Sequence, residues 1–250
     1  MFSRRRFLQL GVGAGGGLFF FRDAPALAST TCSDRLSTSS VARYVTPLVI
    51  PPVMPMTGTL VRHGGKNLDY YEIAVRQFSQ QVLPLGLPST TVWSYGSVNH
   101  PGTFNYPAFT IEARWRKPVA VKWINDLKDA NGDYLPHLLP VDPTLHWANP
   151  PGGIAGRDER PTFTTTPGPY TGPVPIVTHL HGGESTPQES DGYPEAWYLP
   201  DVPLTNGEAS FARTGSLYEY FRDKSPFSAL WTPGSAVFEY PNDQRPTTLW

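Results

Sequence analysis

Short runs in which apolar residues recur at every second position, broken by proline and glycine, constrain this chain more than any other feature. Tyr71, Ile73 and Val75 alternate with Glu72, Ala74 and Arg76. Phe109, Ile111 and Ala113 alternate with Thr110, Glu112 and Arg114, and Val119, Val121 and Trp123 with Ala120, Lys122 and Ile124. Ala236, Phe238 and Tyr240 do the same against Val237 and Glu239. Residues two apart share one face of a strand, so each run predicts a half-buried strand. Residues 91–95, 176–181 and 247–250 complete the expected set. The 28 prolines and 23 glycines make about a fifth of the 250 residues, and 13% are aromatic. That mix suits short strands joined by turns around a packed core. Only 216–222 carries a helical period, and 46–55, too rich in proline for a ladder, is expected to run extended over the surface. The fold class is therefore all-β, a Greek-key β-sandwich with long loops. The loops are 149–173 and 199–233, and both the shaping of a site and plain insertion stay open for them.

The chemistry concentrates in Thr178-His179-Leu180-His181-Gly182-Gly183 and in Ser190-Asp191-Gly192-Tyr193-Pro194-Glu195-Ala196-Trp197. His179 and His181 close the apolar run Pro175-Ile176-Val177-Thr178, which on a strand sets both rings on one face. Imidazole is the commonest metal ligand and suits copper, zinc and iron. Cα atoms two apart on a strand are roughly 6.5 Å apart, and each ring reaches a metal at about 2 Å, so neighbouring rings can serve two metals. The Gly-Gly that follows keeps Cβ atoms out of their way. Asp191 is the other candidate, although Ser-Asp-Gly is good turn chemistry in its own right. Glu195 and Trp197 read as structural. His63, beside Gly64-Gly65, reads as a loop residue; His100, His137 and His146 adjoin proline-rich turns, form no His-X-His pattern in the sequence, and read as solvent or loop histidines.

His-Leu-His-Gly-Gly followed by Ser-Asp-Gly-Tyr-Pro-Glu-Ala-Trp resembles the first copper motif of multicopper oxidases, in the branch of spore-coat laccases and bilirubin oxidases. Tyr70-Tyr71-Glu72-Ile73, Thr91-Val92-Trp93-Ser94-Tyr95-Gly96, Val121-Lys122-Trp123-Ile124-Asn125-Asp126-Leu127, Leu139-Pro140-Val141-Asp142-Pro143-Thr144-Leu145-His146 and Tyr240-Pro241-Asn242-Asp243-Gln244-Arg245 follow in that branch's order. The resemblance implies a cupredoxin-like sandwich over 44–250. It implies that His179 binds the type 2 copper and His181 a type 3 copper of a trinuclear cluster, with Asp191 delivering protons. In the family Thr-Leu-Trp leads into a second His-X-His, so a chain ending at Thr248-Leu249-Trp250 looks like an amino-terminal fragment. It would supply part of the trinuclear site and no type 1 site, and would depend on missing C-terminal cupredoxin domains. The implied activity of the full-length enzyme is oxidation of phenolic or tetrapyrrole-type small molecules coupled to reduction of dioxygen to water. The alternatives are a non-catalytic exported copper-binding cupredoxin domain and a structural scaffold of the same fold, the latter disfavoured by the intact histidine pair.

Ser3-Arg4-Arg5-Arg6-Phe7-Leu8 fits the twin-arginine export pattern, and Ala26-Leu27-Ala28 a cleavage site. Residues 1–28 are thus expected to be a signal peptide and 29–43 a flexible lead-in, with a periplasmic or secreted destination. The apolar stretch at 11–21 falls far short of the ~20 residues a bilayer span needs, so no stable membrane span is expected in the mature chain. Without 1–28 the chain loses four arginines and one aspartate, and its net charge goes from −1 to −4. No basic run remains, which excludes an electrostatic footprint for nucleic acid. The single cysteine, Cys32, excludes an internal disulfide and leaves no sulfur ligand beside the histidines for a blue-copper site.

Overall fold

The computed structural model describes residues 36–62, 65–144 and 148–245. The expected signal peptide, residues 29–35 of the lead-in, Cys32, His63, His146 and the expected strand at 247–250 lie outside the described residues. Two units separate. In the first, 36–44, a single 3-10 turn Thr38–Ser40 is closed by the Ser40 hydroxyl donating to the Ser37 carbonyl at 2.7 Å. The second holds everything else.

Its frame is one mixed sheet of β1 (Gly58–Leu60), β2 (Leu68–Gln80), β3 (Thr90–Ser97), β4 (Val119–Asn125) and β5 (Ser235–Tyr240). The order is β1-β2-β4-β5, with β3 also on β2. The long β2 takes β1 along 68–70 and β3 along 73–80 on one edge, both antiparallel, and a parallel β4 along 69–75 on the other. β5 then closes antiparallel on β4, with Val119 opposite Tyr240 and Trp123 opposite Ala236. Alternation does the rest: Val119, Val121 and Trp123 share a face with Phe238 and Tyr240 across the ladder.

The 126–234 stretch between β4 and β5 supplies the second layer. It is not a laddered sheet among the described residues, but three segments joined by isolated bridges, Ile176 to Tyr198 and Tyr198 to Thr214. Tyr198, fully buried, donates its hydroxyl to the Trp123 carbonyl at 3.1 Å. Asn125, also buried, donates to the carbonyls of Val174 and Tyr198 at 2.8 and 3.1 Å. Buried polar groups need such partners, and here they pin the irregular layer to β4. The helix Tyr218–Lys224, expected at 216–222, adds Tyr218 and Phe221 to the main core with Ile73, Val121, Trp231 and Phe238.

The all-β reading holds, with two corrections. Residues 109–114, which alternate, and 176–181, an apolar run ending in the histidines, are both expected as strands but make no ladder; Thr110 and Ile176 bridge singly. The partner of Thr110 is the 46–55 segment, where Pro47, Pro51, Pro52 and Pro55 lack the N–H groups a ladder needs. Pro173 and Pro175 do the same before Ile176. The 46–55 segment does run largely exposed, Leu48 and Ile50 above all, except that Met54 is buried in the core. No helix among the described residues is long and apolar enough to cross a membrane.

Candidate metal centre

His179 and His181 stand side by side on the extended end of 176–181, their ring centroids 5.6 Å apart and their planes at 78°. Both are exposed. The sheet alternation expected for them survives although the ladder does not, because extended backbone suffices to set residues two apart on one side. Gly182 follows with φ 77°, a left-handed turn open to glycine at little cost.

The turn bearing Asp191 packs against this segment. Gln188–Ser190 forms a 3-10 turn, and Asp191 follows it in helical conformation. His179 Nδ1 lies 2.6 Å from the backbone carbonyl oxygen of Asp191. A carbonyl only accepts, so Nδ1 carries the proton and donates. In the neutral ring Nε2 is then the bare nitrogen, free for a metal. The Asp191 carboxylate sits further off, Oδ1 3.5 Å from the same Nδ1, and is half exposed. Sequence reasoning had singled out this side chain; the closer contact is made by its main chain. Gly192 lets the turn come this near. Its φ is +71°, and a Cβ there would stand 2.0 Å from the Thr178 carbonyl oxygen.

A cleft of about 1230 Å³ opens beside His179. One wall is Val177 to Leu180; the others come from Tyr95, Ile111, Trp115, Trp123 and Tyr240. Trp123 Nε1 donates to the Tyr240 hydroxyl at 2.8 Å, and the Tyr95 ring meets Trp123 edge-on at 5.1 Å. Burial pushes the Tyr240 and Tyr95 phenols above their usual range, so both stay protonated near neutrality. Arg114 and Arg245 stand at the cleft. The aromatic walls were not foreseen, yet the β4 alternation already set Trp123 beside Val121.

The long loops contribute none of these walls. Asp158, in the first, accepts the Trp197 indole N–H at 2.7 Å and the Ser216 N–H at 2.8 Å, which fixes the two loops around buried Trp197. Trp197 is thus held as a structural residue, whereas the contact at Glu195 is the main chain's, its carbonyl accepting the Leu217 N–H. His100 sits within hydrogen-bond distance of the Ser97 hydroxyl, and His137 packs near the rings of Trp93 and Tyr170. Among the described residues no third His, Cys, Asp or Glu joins His179 and His181 in a group that could hold a metal.

Compared with known proteins, no family model matches the chain. It is 30% identical over 211 residues to a laccase of Bacillus subtilis (strain 168), covering 84% of this chain and 29% of that protein. A laccase of Haloferax volcanii is 37% identical over 201 residues, 79% of this chain and 28% of that protein. Multicopper oxidase LPR1 homolog 5 of Oryza sativa subsp. japonica is 31% identical over 215 residues, 86% of this chain and 25% of that protein. The chain spans less than a third of the length of the relatives it matches.

Proposed function

This chain belongs to the multicopper oxidase family, and we propose that it carries part of the copper site of a laccase-like oxidoreductase, one that oxidises a small reducing substrate and reduces dioxygen to water. Copper, when bound, supplies the one-electron redox chemistry that links those two half-reactions. What this chain contributes is ligands and their orientation. His179 would hold the type 2 copper through Nε2, and His181 a type 3 copper. The observation that carries the reading is the His179 to Asp191 carbonyl bond, which leaves a metal-ready nitrogen on an exposed ring next to a second imidazole. The half-exposed Asp191 carboxylate, a few ångströms away, would pass protons to the site where oxygen is reduced. Further cupredoxin domains would supply the remaining ligands and the type 1 site. Phenols are the substrate class in best accord with the laccase relatives, tetrapyrroles the other. The twin-arginine pattern in 1–28 supports export to the periplasm or beyond, with 44–250 as the folded cupredoxin domain.

A second reading is a copper-binding exported domain without catalysis. The absence of a third ligand group among the described residues favours it for this chain taken alone. One titration tests the metal claim common to both. Cu(II) added to the full chain should give an electron paramagnetic resonance spectrum with imidazole nitrogen splitting, lost when His179 and His181 are both replaced by alanine. An unchanged spectrum in the double variant would remove the histidine pair as the site.

A further inference from the structure

The geometry points to Ser190 as the residue that positions His179, acting through the Asp191 main chain. This rests on the reading of His179 as a metal ligand and adds what holds its ring. Three contacts meet in one turn. The Ser190 hydroxyl, with Ser190 only 2% exposed, accepts the Glu239 N–H of β5 at 2.9 Å. The next carbonyl, that of Asp191, accepts His179 Nδ1–H at 2.6 Å. The next residue, Gly192, lies against the Thr178 carbonyl, where no side chain fits. Ser190 therefore ties the turn to the sheet, Gly192 sets it against the histidine strand, and Asp191 delivers the carbonyl between them.

The consequence is chemical as well as structural. Free histidine favours the Nε2–H form, which would turn the bare nitrogen away from the metal side. Held against a carbonyl, His179 takes the Nδ1–H form and keeps Nε2 bare before any metal arrives. Outer partners of this kind typically change metal affinity about 10–100-fold. The Glu239 N–H belongs to β5, where Glu239 is registered with Ala120 of β4, so the anchor is part of the sheet.

The test reads the tautomer directly. Nitrogen-15 spectra of the metal-free full chain, taken well above the ordinary histidine range of about 6.5, distinguish Nδ1–H from Nε2–H, and His179→Gln identifies the signal. The wild-type chain should show His179 mainly as Nδ1–H. Ser190→Ala should bring the Nε2–H form to at least comparable population and weaken Cu(II) binding about tenfold. Ser235→Ala is the control: it removes an equally buried hydroxyl from the 232–235 turn, and should lower thermal stability without moving the tautomer. Equal tautomer populations in wild type and Ser190→Ala would overturn the proposal, as would a wild-type ring in the Nε2–H form, whether or not the variant folds. A correct tautomer with no Cu(II) binding would instead fail the metal reading and leave the positioning intact.

Discussion

Trp123 Nε1 donates to the hydroxyl of Tyr240 at 2.8 Å, and this bond runs diagonally from β4 to β5, since Tyr240 is registered with Val119 rather than with Trp123. It joins the wall of the cleft beside His179 to the core behind it. Tyr240→Phe keeps the ring and removes the acceptor, leaving a part-buried indole N–H unpaired. The expected cost is about 1–3 kcal/mol, read from urea unfolding. No measurable loss would mean that Trp123 finds another partner at once.

Gly192→Ala is expected to be worse. The substituent meets backbone rather than a movable side chain, and φ is +71°, so the turn must withdraw from Thr178. A loss of at least about 2 kcal/mol is predicted, with weaker Cu(II) binding in whatever remains folded. Gly86, also at positive φ but with nothing near its Cβ position, should cost less when changed to alanine.

Asp126 gives a pH dependence. Burial pushes its carboxyl up, but hydrogen bonds from Lys128 and Arg76 and their charges outweigh that, and hold it below the usual 3.8. A depressed folded-state value means stability that is fully present above the ordinary carboxylate range and is lost as pH falls through the folded value. Unfolding curves taken below about pH 4 should therefore show a steeper acid loss in wild type than in Asp126→Asn. Parallel curves would remove Asp126 from the account.

Four of the five strands were legible because β2, β3, β4 and β5 carry β residues in short runs, three of them with period-two alternation. β1 is three residues long and has no pattern to read. Residues 109–114 show why alternation misleads: it reports a half-buried extended chain, whereas a ladder also needs a neighbour with free N–H groups, and the prolines of 46–55 withhold them. The histidine pair was plain in the sequence. Its support was not, because Asp191 acts through a carbonyl that every residue possesses, and Ser190 through a contact with Glu239 that only the fold creates. Gly192 alone left a trace, as a glycine after Ser-Asp.

Two imidazoles alone fix little of a coordination geometry, so Cu(II) on the His179 and His181 pair should bind weakly and with little selectivity, since geometry normally sets selectivity. The chain with copper is expected to show no blue absorption and no oxidation of phenolic dyes. Turnover of such a dye by this chain and copper alone would contradict that.

Crystals grown with Cu(II), and an anomalous difference map recorded at the copper edge, test the central claim most directly. The account predicts a peak about 2 Å from His179 Nε2, on the side of the ring that faces away from Asp191 and next to His181. A copper peak at Nδ1 in place of the Asp191 carbonyl, or one remote from both histidines, would contradict it.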